Sequence, residues 1–149
     1  MITLAAFKEI SNHVCRFWAE HHCALSEKAL QKALAVQLCE TGTVVVSSEE
    51  ETPVIFRTQG GASVTVASLR PDLIVRSTVS KISFAVEIKA GPSLRGVGIQ
   101  RAEGQARVYA DLLGIPVRLV SFEGTSSLYD EAVVEVREFL PGPSCVKNI

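Results

Sequence analysis

Apolar positions recur at helical spacing from residue 3 to residue 22, with Leu4, Phe7, Ile10, Val14, Phe17 and Trp18 on one side. A second helix is predicted from Leu25 to Leu38, with Leu30, Ala33, Leu34, Gln37 and Leu38 as its inner stripe. Ser26 suits its N-cap and Gly42 its stop. Short β-branched runs follow. Val44–Val46 and Val54–Phe56 read as strands separated by an acidic turn, Glu49–Glu51. Gln59–Gly61 then turns the chain into Ser63–Val66 to close a hairpin. Arg70–Val75 and Phe84–Ala90 are two further strands. Gly91–Gly98 is too polar and glycine-rich for a regular element, whereas Ile99–Leu113 has Ala102, Ala106, Tyr109, Leu112 and Leu113 at helical spacing. Gly114 and Pro116 end that helix, and Val117–Phe122 is a strand. Residues 126–139 mix both periods; a helix is expected there, because Ser126 or Ser127 can cap it.

These elements predict one α/β domain over residues 1–149: a mixed central sheet flanked by helices on both sides, in the order αβββαβ. Residues 1–23 supply an extra N-terminal helix, 24–122 the core and 123–149 a C-terminal extension. At 149 residues the chain is long enough to bury a substantial core.

The chemistry concentrates in two of the strands. Glu87 and Lys89 are two apart and project from one face, while Val86 and Ile88 project from the other. If the Arg70–Val75 strand is a neighbour, Asp72 at its start meets Glu87. A Glu-x-Lys by itself fits an exposed strand face, and Pro71-Asp72 fits ordinary turn chemistry. Here, however, the charges interrupt strands that are otherwise apolar on both faces, where an unpaired charge is costly. Two carboxylates converging beside a lysine suit a divalent cation that activates water against a phosphodiester.

With Asp72, Glu87-x-Lys89 and a glutamine on the next helix, Gln105, the chain resembles the PD-(D/E)XK nuclease superfamily, which has a restriction-endonuclease-like core. Glu27, with Ala33-Leu34 and Leu38 behind it, resembles the glutamate of a family named for a Gly-x-x-Glu-x-x-Tyr motif; Ala24 and Leu30 stand at the glycine and tyrosine positions. The arrangement is also similar to Holliday-junction resolvases and replication-repair nuclease modules. The resemblance covers residues 24–122 and implies a Mg²⁺-dependent deoxyribonuclease, with Mn²⁺ able to substitute. It implies metal ligands at Asp72, Glu87 and the Ile88 carbonyl, with Glu27 completing the shell directly or through water. Lys89 then acts on water and phosphate, and Gln105 positions the lysine or the substrate. Arg70, Arg95, Arg101 and Arg107 become candidate phosphate contacts. A homodimer is expected, because two-fold symmetry matches two antiparallel DNA strands. DNA or RNA, and ends or interior bonds, stay open. So does a non-catalytic nucleic-acid-binding or assembly module on the same core. A purely structural Glu87–Lys89 ion pair is the third alternative.

Charge distribution modifies this picture. The net charge is −1, yet the stretch from Ala67 to Arg118 carries Arg70, Arg76, Lys81, Lys89, Arg95, Arg101, Arg107 and Arg118 against Asp72, Glu87, Glu103 and Asp111. A basic middle between acidic ends fits a local phosphate-binding face. Cys15, Cys23, Cys39 and Cys145, with His13, His21 and His22, match no common zinc spacing, so idle thiols in a reducing compartment are expected. Apolar residues make up 47% of the chain, no apolar run is long enough to span a bilayer, and no basic segment leads an apolar one at the start. An intracellular, cytoplasmic protein (nuclear in a eukaryotic host) without a membrane partner is the expectation.

Overall fold

The computed structural model describes residues 2–20, 26–90, 97–125 and 132–142. Two helices, α1 (Leu4–Glu20) and α2 (Glu27–Glu40), precede strands β1 (Val44–Ser48), β2 (Thr52–Arg57), β3 (Ser63–Leu69), β4 (Leu73–Ser77) and β5 (Ser83–Ala90). Helix α3 (Val97–Leu113) and strands β6 (Val117–Thr125) and β7 (Ala132–Phe139) follow. Five strands form one mixed sheet in the order β1-β4-β5-β6-β7, and β2 and β3 form a separate hairpin. Among the described residues, β5 and β6 are the one parallel pair. A parallel pair needs a crossover, and α3 is that crossover. With the hairpin, the N-terminal α1 and the C-terminal β7 set aside, the remaining elements α2, β1, β4, β5, α3 and β6 run in the expected order αβββαβ.

Each face of the sheet is covered. On one, Phe7 and Val14 of α1 and Leu30, Leu34 and Leu38 of α2 pack against Leu73, Val75, Phe84, Val86 and Ile88. On the other, Ala102, Ala106 and Ala110 of α3 pack against Ala85, Val117 and Leu119. Alternate β5 residues therefore face different layers: Phe84, Val86 and Ile88 face α1 and α2, and Ala85, Glu87 and Lys89 face α3.

The expected caps are present. Ser26 accepts a hydrogen bond from the Ala29 amide at 3.3 Å, Gly42 has a φ of +73°, and the Gly114 amide closes α3 on Ala110 at 2.9 Å. Thr58 and Gly61 close the β2–β3 turn as anticipated. Helix α3 begins two residues before the expected Ile99, and β6 runs to Thr125. Phe17, placed on the inner stripe of the first helix by its spacing, is instead 51% exposed, and the stripe is continued by Ser11 and Cys15.

The segment expected to be a C-terminal helix departs most from the sequence reading: residues 132–139 are strand β7, paired antiparallel with β6 from Val117↔Phe139 to Thr125↔Ala132. Val133, Val134 and Val136 favour a pleated surface, and β6 would otherwise present an open edge. Val136 and Phe139 are buried there. The candidate caps Ser126 and Ser127 lie outside the described residues.

Beneath α1 lies a buried charge. Arg118 on β6 donates to Glu138 at 2.9 Å and to the Ile2 carbonyl at 2.9 Å, and its guanidinium stacks over Phe84 at 3.9 Å. It pins α1 to the sheet and is no part of an exposed basic face. Among the described residues no helix is long and apolar enough to cross a membrane.

Gly104 lies mid-way along α3, and a Cβ added there meets nothing within 4 Å. Gly104→Ala is therefore expected to stabilise the fold by up to about 1 kcal/mol. That corresponds to a rise of roughly 2–4 °C in a thermal melt.

Candidate active site

Asp72 does not belong to β4, which starts at Leu73 rather than at the expected Arg70. Its backbone is claimed by other partners. The Asp72 carbonyl accepts from the Glu49 amide at 3.0 Å and from Gln31 Nε2 at 3.1 Å, while its amide donates to Glu87 Oε1 at 3.2 Å. Register explains the last contact: Leu73 pairs with Val86, so one step back puts Asp72 opposite Glu87. The Asp72 carboxylate in turn accepts from the Ile88 amide at 2.7 Å through Oδ2. The amide and carbonyl of one extended residue point to the same strand edge, so the Ile88 carbonyl also faces the Asp72 side.

Glu87 is 4% exposed in the middle of a five-stranded sheet. Burial, followed by the nearby Asp72 carboxylate, pushes its pKa from 4.5 up to about 8, against the pull of the Asp72 amide and Lys89. Asp72 is raised too, by burial first, while the Ile88 amide and Lys89 pull it down. Among the described residues, each carboxylate uses one oxygen on a backbone amide and makes no hydrogen bond with the other.

Glu27, in the first turn of α2, comes from the opposite layer and accepts from the Ala90 amide at 3.2 Å at the end of β5. Beside it an open cavity of about 210 Å³ is lined by Glu27, Lys89, Gly98, Arg101 and Gln105. Lys89 is half-buried and forms no ion pair among the described residues, which removes the plain Glu87–Lys89 pair. Gln105 donates to the Tyr109 hydroxyl at 3.2 Å, one turn along α3.

The five expected site residues thus gather at the C-terminal end of β5. The expected arginines do not all join them. Arg101 lines the cavity, but Arg70 pairs with Glu51 at 3.1 Å and Arg107 stacks over Phe139 at 5.1 Å, on the β7 side of α3. Arg95 lies outside the described residues. Gln31 went unnoticed in the sequence, although it follows Glu27 by four residues on the same helix face. A polar residue among the leucines of the inner stripe was the available signal.

The buried Glu87 and half-buried Asp72 carboxylates, each with an oxygen to spare among the described residues, lie beside a backbone carbonyl, a donor set that fits a hard divalent cation. Among the described residues no three His, Cys, Asp or Glu side chains converge closely enough to hold a metal by themselves. Of the described thiols, Cys15 is buried and its pKa is raised to about 12, and Cys39 is exposed; Cys23 and Cys145 lie outside the described residues.

No family model matches the chain, and no curated protein matches it. The chain is similar to a solved structure described as "Crystal structure of SSO0001", with 19% identity over 94% of this chain and 69% of that one and a TM-score of 0.47.

The raised pKa of Glu87 has a stability consequence. The folded protein holds a proton that the unfolded chain releases near pH 4.5, so this contribution is full below pH 4.5 and is lost as the pH rises through about 8. Asp72 acts with the same sign. Thermal melts in chelator are expected to show stability falling across that interval, with a flatter fall in Glu87→Gln. An equal slope in both proteins would refute the assignment.

Proposed function

We propose that this protein is a divalent-cation-dependent nuclease built on a restriction-endonuclease-like core, hydrolysing phosphodiester bonds of DNA. One observation carries the reading: Asp72 and Glu87 converge at the end of β5, beside a lysine that forms no ion pair among the described residues. The αβββαβ order, with β5 and β6 parallel across α3, is the expected framework for that superfamily.

A Mg²⁺ or Mn²⁺ ion held by Asp72, Glu87 and the Ile88 carbonyl would polarise a phosphoryl oxygen and lower the pKa of bound water. The chain's own residues do the rest. Asp72 and Glu87 are fixed by backbone amides before any ligand arrives, so little reorganisation is needed. Lys89 holds a compact positive charge at the cavity wall, where it stabilises charge developing on phosphate and orients the attacking water. Arg101 offers a second cation for the flanking backbone, and Gln105, steadied by Tyr109, borders the same space. A binding module on the same core shares the metal and phosphate contacts but not turnover, so cleavage separates the two.

Linear, nicked, single-stranded and four-way DNA, each with and without Mg²⁺ or Mn²⁺, form the test. Cation-dependent cleavage of at least one substrate is expected; DNA binding without cleavage of any favours the module. In Asp72→Asn, calorimetry is expected to show Mn²⁺ affinity reduced by at least about tenfold.

Lys89→Ala separates chemistry from structure. Fold and Mn²⁺ binding are expected to persist, because Lys89 bonds to neither carboxylate. Cleavage should drop by at least about a hundredfold, the scale of losing one preorganised charge at the reacting group. A variant that melts early yet cuts at the wild-type rate would end the mechanism.

A further inference from the structure

Gln31 is 7% exposed, lies on the inner face of α2 between Leu30 and Leu34, and belongs to no catalytic constellation described above. A buried amide is costly unless bonded, and leucine or methionine would fill the space at less expense. Its bond is to the Asp72 carbonyl, 41 residues away, at 3.1 Å. That carbonyl already accepts from the Glu49 amide at 3.0 Å, so Gln31 is not needed to satisfy it. The second donor does something else.

Gln31 stands one turn after Glu27, and the two side chains reach different parts of the site: Glu27 grips the Ala90 amide at the end of β5, and Gln31 grips Asp72 ahead of β4. We propose that Gln31 is a positioning residue that fixes Asp72 relative to Glu27 and so sets the geometry of the cation site. Helix α2 then serves as one rigid arm spanning both carboxylates, with Ser26 capping its start and Leu30 and Leu34 seating it on the sheet. Without the amide, Asp72 keeps its Glu49 and Ile88 bonds but loses its tie to the helix that carries Glu27. This inference rests on the cation-site reading above.

Gln31→Met retains length and packing while removing both donor and acceptor. Its Mn²⁺ affinity, measured by calorimetry on the full chain, is expected to fall by about tenfold or more, as for other residues that orient metal ligands. Leu34→Val, on the same helix face, reports on a merely loosened α2; it should lower the melting temperature and leave Mn²⁺ affinity unchanged. If Gln31→Met binds Mn²⁺ like the wild type, or if Leu34→Val loses the same affinity, the positioning role is overturned and the cation site stands. If the wild-type protein binds no Mn²⁺, the cation-site reading falls, and this inference with it.

Discussion

The rest of the structure depends on holding an acidic side chain inside β5. Glu87 is closed off by β4 and β6 on either side, and Asp72 sits opposite. Like charges in a dry place are unfavourable, and the fold offsets this with two backbone amides and the nearby lysine. The arrangement also constrains topology. For Glu87 to be central, β5 needs a neighbour on its far side, and that neighbour, β6, is parallel and requires a crossover helix. The crossover lays α3 over the Glu87 face and so brings Arg101 and Gln105 to the end of the strand. The sheet order and the composition of the cavity are consequences of the same placement.

Arg118 makes a useful contrast. It is also buried, but Glu138, the Ile2 carbonyl, Phe7 and Phe84 surround it with opposite charge, an acceptor and two ring faces. That charge is compensated within the chain. The Asp72–Glu87 pair is not: its two members repel, and each has an oxygen without a hydrogen bond among the described residues. Incomplete compensation distinguishes a site poised for a ligand from a structural ion pair, and it is a sounder criterion than burial alone.

The core was largely legible because both of its periods are strong. Leu30, Leu34 and Leu38 mark a helix, and charges inside Phe84–Ala90 mark a strand with chemistry on one face. Asp72 meeting Glu87 was also readable, since antiparallel neighbours place a residue before one strand against the end of the other. Three features were hidden. Residues 132–139 have no decisive period, and only the open edge of β6 makes them a strand. Arg118 counted toward a basic face because sequence does not show which side of β6 it takes. Gln31 looked like one more polar helix residue until Asp72 was placed within its reach.

Where the side chains come from decides how far function and stability can be separated. Asp72 and Glu87 hold strand ends together through amides, so changing either alters the fold as well as the site. Lys89, Arg101 and Gln105 stand on the rim, facing a cavity rather than the core, and can vary without disturbing the sheet. Glu27 and Gln31 fall between these cases. They arrive from the layer opposite α3, and their bonds to Ala90 and Asp72 stitch that layer to the strands at the site itself. A substrate or ion that presses on this end of β5 therefore acts on α2 as well as on the sheet.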